Sequence, residues 1–287
     1  MAVTLGDEVL GQYRRFSLYN SPYTAHDRGC AVDLYPAGDD AAPSPVAGTV
    51  RDVRSVRAPP KPYAAEKDHL LLVDVAPDSP GFRPADAADS SVARLLHVDP
   101  TVDPGDEVAV GDPLGELVRA GFFAPWVDNH VHLEFRPADA DHYRASGSVR
   151  IGVDVPVAGL DWDGRGTVGR TGDTYAVLDA PAHPDPGSYF AGVAADGGGV
   201  LDGGLPHYDG GGLLSGPPGP VALAGDRIGT ADGRDVAWDA VAVRVDGTPI
   251  TGLSLFLARD ADFGAKLICP EATFPVGREV QVTVTAD

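Results

Sequence analysis

The sequence predicts an all-β protein: an N-terminal β-sandwich or barrel, followed by a C-terminal β-rich accessory half. Three observations carry this. Short runs rich in Val, Leu and aromatic residues recur along the chain and are cut off by turn residues. Glycine and proline, 36 and 26 of 287 residues, exceed a fifth of the chain, which favours turns and short strands over long helices. No segment sustains a helical period of useful length.

The elements follow in order. The stretch "SPVAGTVRDVRSV" alternates around Val46, Val50 and Val53, with Gly48 as the expected bend. "DHLLLVDVA" and "SVARLLHVDP" are apolar strands, and "TVDPGDEVAVGDPLGELV" brackets a short valine strand with turns at Pro104-Gly105-Asp106 and Gly111-Asp112-Pro113. "NHVHLEFRP" closes the series. Alternate residues of a strand share a face, so His130, His132 and Glu134 point one way and Val131, Leu133 and Phe135 the other, the pattern of a half-buried strand. The polar stretch "ADADHYRASGS" reads as a linker, giving domains 1–145 and 146–287. Further strands follow at "VRIGVDVPV", "TYAVLDA", "YFAGVAA", "PVALAG", "DVAWDAVAVRVDG", "LSLFLA" and "VQVTVTA". The glycine-rich tract "DGGGVLDGGLPHYDGGGLLSG" lacks the strand-then-helix setting of a phosphate loop and is read as turns and loop.

Charge narrows the function. The net charge is −20, and the lysines are Lys61, Lys67 and Lys266. An acidic chain this poor in lysine predicts adaptation to high salt, where screening relieves self-repulsion. It has no basic patch to neutralise phosphates, which argues against a nucleic acid partner. Cys30 and Cys269 form neither a disulfide framework nor a zinc-thiolate pattern. No apolar run reaches membrane-spanning length, and "MAVTLGDEVLGQYRRFSLYN" has no signal-peptide core, nor an apolar run after Arg14-Arg15, so the expected compartment is the cytoplasm.

The histidines carry the chemistry. "YTAHDRGCAVDLYP" supplies His26 and Asp33, "RLLHVDP" supplies His97, and "NHVHLEF" supplies His130 and His132. Two imidazoles and a carboxylate form a ligand set that leaves zinc one open position for water, and the metal then ionises that water near neutral pH. The order "AHDRGCAVDLYP", "SPVAGTV", "ARLLHVDPTVDPGDEVAVGDPLGEL", "NHVHLEF" resembles the lysostaphin-type zinc metalloendopeptidases, over roughly residues 20–137. The resemblance implies a duplicated hybrid motif fold, zinc as cofactor, a peptide or peptide-like substrate, His26, Asp33 and His132 as metal ligands, and His97 and His130 as catalytic residues beside the metal-activated water. The family's usual interval from histidine to aspartate is four residues; here it is seven, so the segment must turn or bulge at Asp27-Arg28-Gly29. Asp27 is the competing ligand, close in sequence to His26.

Two other readings stand beside this one. A non-catalytic binding or scaffold module could keep the fold without the chemistry. "VAGTV" and "VDPGDEVAVGDPLGEL" also resemble halves of biotinyl, lipoyl and sugar-phosphotransfer domains, but no lysine sits at a hairpin tip as a carrier requires. Among the remaining residues, His69 is read as an edge residue, His142 as a solvated linker residue, His183 and His207 as loop histidines, Cys30 as small and buried, Tyr23 as a weak oxyanion donor, and Glu134 as a partner for a ligating imidazole.

Overall fold

A computed structural model describes residues 2–38, 41–86 and 90–287. The fold is all-β, and the chain divides into two compact units: Met1–Phe16 with Arg28–Val155, and Ser17–Asp27 with Pro156–Asp287. Among the described residues, no helix is long and apolar enough to cross a membrane.

The elements of the first unit are β1 (Ala2–Gly6), α1 (Asp7–Leu10), β2 (Tyr13–Ser17), β3 (Ala31–Pro36), β4 (Ala41–Pro43), β5 (Gly48–Arg57), β6 (Lys67–Val75), β7 (Phe82–Pro84), β8 (Ser91–Leu96), β9 (Val98–Pro100), β10 (Glu107–Val108), β11 (Pro113–Leu117), β12 (Val131–Pro137) and β13 (Arg150–Asp154). The main sheet runs β10-β5-β6-β8-β12-β3-β2; two three-stranded sheets, β13-β1-β7 and β4-β11-β9, complete the unit. The turns after Asp103 and Ala109 form as the sequence predicts, with Gly105 and Gly111 at φ +101° and +92°, a region that glycine enters without cost. Gly48 is not a bend. It sits in β5 opposite Val75, and a Cβ there would lie 2.0 Å from the Asp74 carbonyl oxygen. The glycine is needed for close backbone approach.

β12 departs from the half-buried pattern. Residues 131–136 are all buried. Leu133 and Phe135 pack on the apolar side, where Phe135 meets Phe82 at 5.0 Å between ring centroids. The polar side is closed by the stretch read as a linker. Arg94 Nε donates to the His142 carbonyl (2.7 Å), and Arg136 donates to those of Asp141 (2.5 Å) and Arg144 (2.7 Å). Residues 138–148 are therefore a cover held on by two buried guanidinium groups. "VRIGVDVPV" also divides: Arg150–Asp154 pairs in parallel with β1 of this unit.

The second unit contains a twelve-stranded sheet around one apolar core that includes Leu201, Leu205, Leu213, Val243, Leu253, Leu267 and Val282. The glycine-rich tract is not a loop. Val200–Leu205 and Gly210–Leu214 form an antiparallel hairpin inside that sheet. Its glycines admit bulky neighbours: a Cβ on Gly211 would meet the Trp238 ring at 2.0 Å, and one on Gly212 the Tyr19 ring at 2.4 Å. Composition suggested a turn; tight aromatic packing made a strand.

Candidate metal centre

His132 is the second residue of β12, and strand register decides its company. It stands opposite Asp33 of β3 on one side and Leu96 of β8 on the other. Two residues on, Glu134 stands opposite Ala31 and Arg94. Residues two apart share a face, and directly opposed side chains are in reach. Hence His132 Nδ1 is 2.9 Å from Asp33 Oδ1, and Nε2 is 3.0 Å from Glu134 Oε1. Burial disfavours the charged ring, but the hydrogen bonds and charges of Asp33 and Glu134 outweigh it and push the His132 pKa up to about 9. Without a metal the ring is therefore held protonated between the two carboxylates at neutral pH; Nδ1 and the Asp33 carboxylate are the groups that would hold a metal ion in exchange for that proton.

Glu134 is held in turn by the Arg94 guanidinium, the Ser148 hydroxyl and, at 3.7 Å, Arg136. Burial pushes its pKa upward, yet the His132 and Arg94 charges and the Ser148 hydroxyl win and hold it at about 2. It stays a carboxylate, ready to accept the His132 Nε2–H.

His26 occupies the turn that the seven-residue interval requires. Its N–H donates to Tyr23 O at 2.9 Å, and Gly29 takes φ +60° before β3 begins. Its Nδ1 is 2.9 Å from the Leu18 carbonyl, an acceptor only, so Nδ1 carries a proton and Nε2 is the nitrogen that would bind a metal. His26, Asp33 and His132 are all buried, and each offers a ligand atom within 4.8 Å of the others. Once His132 gives up its Nδ1 proton, two imidazole nitrogens and one carboxylate, each imidazole with its second nitrogen bonded to an oxygen, are a donor set that fits zinc.

His97 directly follows β8 at φ +71°, the left-handed region rarely used by residues other than glycine. Asp68 holds it there: the His97 N–H donates to Oδ1 at 2.9 Å and Nδ1 lies 2.5 Å from Oδ2. On the other side its carbonyl accepts from Val118 N–H at 2.8 Å. Burial, outweighing the attraction of Asp68, holds the His97 pKa down at about 4. Burial also opposes ionisation of Asp68, but the His97 and backbone hydrogen bonds keep that carboxyl below its ordinary value. At neutral pH the pair is a neutral imidazole donating Nδ1–H to a carboxylate, with Nε2 free to accept.

His130 precedes β12 and donates Nδ1–H to the Asp128 carbonyl at 2.9 Å; its Nε2 is 3.3 Å from Asp33 Oδ1. Its ring stacks on Phe123 at 4.5 Å and lies 5.2 Å from that of His97, which is 5.8 Å from that of His132. Within the first unit the structure therefore gathers Asp33, His97, His130 and His132 in one place.

Of the other histidines, His69 and His142 differ from expectation, while His183 and His207 lie in loops as read. His69 sits on an interior strand, with Nε2 3.6 Å from Asp99. His142 is buried, with Nε2 3.0 Å from the Pro137 carbonyl, because its segment covers β12. His183 is likewise buried against the Tyr189 carbonyl at 3.0 Å, and His207 lines a cleft of about 380 Å³ in the second unit. Cys30 is only partly buried, because it lies on the irregular link into β3. Tyr23 is 43% exposed. Asp68, Arg94 and Ser148 are neighbours of the candidate site that the sequence reading missed. Arg94 left a signal, a lone charge inside the apolar run "VARLL", which implies a buried partner.

The site and the sheet define a β protein with a buried two-histidine, one-carboxylate centre flanked by two further imidazoles. The chain belongs to the family described as "Domain of unknown function (DUF8155)": its N-terminal domain matches residues 4–153 and its C-terminal domain residues 158–285. No curated protein matches. Among solved structures, the chain is similar to a mutant catalytic domain of the prophage-encoded M23 protein EnpA from Enterococcus faecalis. That match has 22% identity and a TM-score of 0.29, and covers 47% of this chain and 86% of the other.

Proposed function

We propose that this protein is a zinc-dependent hydrolase of peptide bonds, with His26, Asp33 and His132 as the metal ligands. The observation that supports this is the convergence of three buried donor atoms within 4.8 Å. When bound, zinc supplies Lewis acidity toward a carbonyl and lowers the pKa of water. The chain's own residues do the rest. Glu134 and the Leu18 carbonyl fix the ligating rings through their second nitrogens. His97, its Nδ1–H tied to Asp68, accepts the proton of the attacking water at Nε2 and returns it to the leaving amine. His130 presents a second Nε2, and once protonated it donates to the oxyanion. Phe123, edge-on to His97 at 4.5 Å and stacked on His130, shields both rings from water.

Protein purified without added metal is expected to contain about one zinc per chain and to cleave peptides from a mixed library until the metal is chelated. A chain that neither carries nor takes up zinc would refute the reading. Asp68→Asn tests the proton path. The amide keeps an oxygen for the His97 N–H but sets its NH2 against Nδ1, so the ring loses its carboxylate partner, and kcat should drop about 10²–10⁴-fold with KM and zinc content kept. An unaltered kcat would take Asp68 and His97 out of the reaction.

A further inference from the structure

The segment Ser17–Asp27, which carries His26, forms one compact unit with residues 156–287. Its first four residues are tied there one by one. Ser17 Oγ donates to Asp202 Oδ1 (2.5 Å) and Leu18 N–H to Asp202 Oδ2 (2.7 Å). The Tyr19 hydroxyl donates to Asp235 (2.6 Å), and the Asn20 amide to Ser254 Oγ (2.7 Å) and the Leu255 carbonyl (3.2 Å).

Asp202 stands out among these partners. It is fully buried, in the hairpin strand Val200–Leu205, between Leu201 and Gly203. An apolar residue could fill such a place without the cost of desolvating a carboxyl group. What the carboxylate adds is acceptor capacity, and it is used on Ser17 and Leu18. The Leu18 residue is thereby held at both of its backbone polar groups: its N–H on Asp202, and its carbonyl on Nδ1–H of His26 at 2.9 Å. The second bond is the one that keeps a proton on His26 Nδ1 and so turns Nε2 to the metal.

We infer that Asp202 is a positioning residue for the proposed zinc centre, acting through Leu18 to fix the tautomer and aim of His26. The inference rests on the zinc reading, and within the second unit the glycine-rich hairpin carries the anchor of His26. The glycines belong to the same device, because the Tyr19 ring lies where a side chain on Gly212 would stand.

The test uses the full chain and three variants. Asp202→Ala removes the acceptors. Asp202→Asn keeps an acceptor for Leu18. Tyr19→Phe breaks a neighbouring tie of the same segment and spares Leu18. Zinc affinity, measured by competition with a chromophoric chelator, should fall about 10–100-fold in Asp202→Ala, recover largely in Asp202→Asn, and stay at the wild-type level in Tyr19→Phe. Equal zinc affinity in folded Asp202→Ala and wild type would overturn the inference, as would equal losses in Asp202→Ala and Tyr19→Phe. Nitrogen NMR of the metal-free protein separates this from the zinc reading itself. His26 should be the Nδ1–H tautomer in wild type and Asp202→Asn, and a mixture in Asp202→Ala; an unmixed tautomer in Asp202→Ala overturns the inference whether or not zinc binds. Should Asp202→Ala fail to fold, Asp202→Leu fills the volume without accepting a hydrogen bond and is read the same way.

Discussion

His132→Ala is expected to lose zinc and, with it, peptide hydrolysis. Structural zinc sites bind with about 10–16 kcal/mol over four ligands, so one imidazole accounts for about 3–4 kcal/mol, a factor on the order of 10²–10³ in affinity. The loss here should lie at the upper end, because only three protein ligands are offered. The fold should survive. Glu134 keeps Arg94 and Ser148, and Asp33 keeps His130 at 3.3 Å. Elemental analysis alongside circular dichroism checks both halves of the prediction. Zinc content equal to wild type in a folded variant would remove His132 from the ligand set.

Much of the fold was legible because a strand announces itself locally. The runs at Gly48–Arg57, Lys67–Val75, Ser91–Leu96 and Val131–Pro137 are strands where alternation or apolar clustering put them. What failed was any inference needing a distant partner. Whether Gly210–Leu214 is a loop or an inner strand depends on Trp238 and Tyr19, which fill the space its glycines vacate. Whether residues 138–148 link or cover depends on Arg94 and Arg136, far away along β8 and within β12. Composition cannot report either, since the same residues in isolation prefer turns.

The site divides along the same line. Each histidine with suggestive neighbours was visible as a residue type at a spacing, and the seven-residue interval itself required a turn between His26 and Asp33. Register was not visible. That His132 faces Asp33, and that Arg94 faces Glu134 two residues on, follows from how β3, β12 and β8 align, and a one-residue slip would have dissolved both pairs. Asp68 was hidden for a similar reason. It opens an apolar strand as an ordinary polar residue, and only the β6–β8 pairing brings it beneath His97.

The Arg94–Glu134 pair supplies the second large effect. Arg94→Met leaves a buried carboxylate without its guanidinium and frees the His142 carbonyl, so unfolding free energy at neutral pH should drop by about 3–5 kcal/mol. The pH dependence follows from the sign of the shift. Glu134 ionises near 2 in the folded protein against an ordinary 4.5, so its stabilising contribution is full above the ordinary value and disappears as pH falls through about 2. Without Arg94 the folded-state pKa climbs, and the contribution shrinks. The deficit of Arg94→Met relative to wild type should therefore be largest at neutral pH and narrow steadily as pH drops from about 5 toward about 2. Urea denaturation across that range measures it; a deficit independent of pH would mean that Arg94 acts through packing alone. Adding Glu134→Gln should recover part of the loss at neutral pH, because the buried carboxylate is then gone while Arg136 keeps the Asp141 and Arg144 carbonyls. The double variant should still bind zinc poorly. A neutral amide accepts the His132 Nε2–H less strongly than a carboxylate does, so under the proposed zinc reading the ion pair supplies what apolar side chains packed there would not.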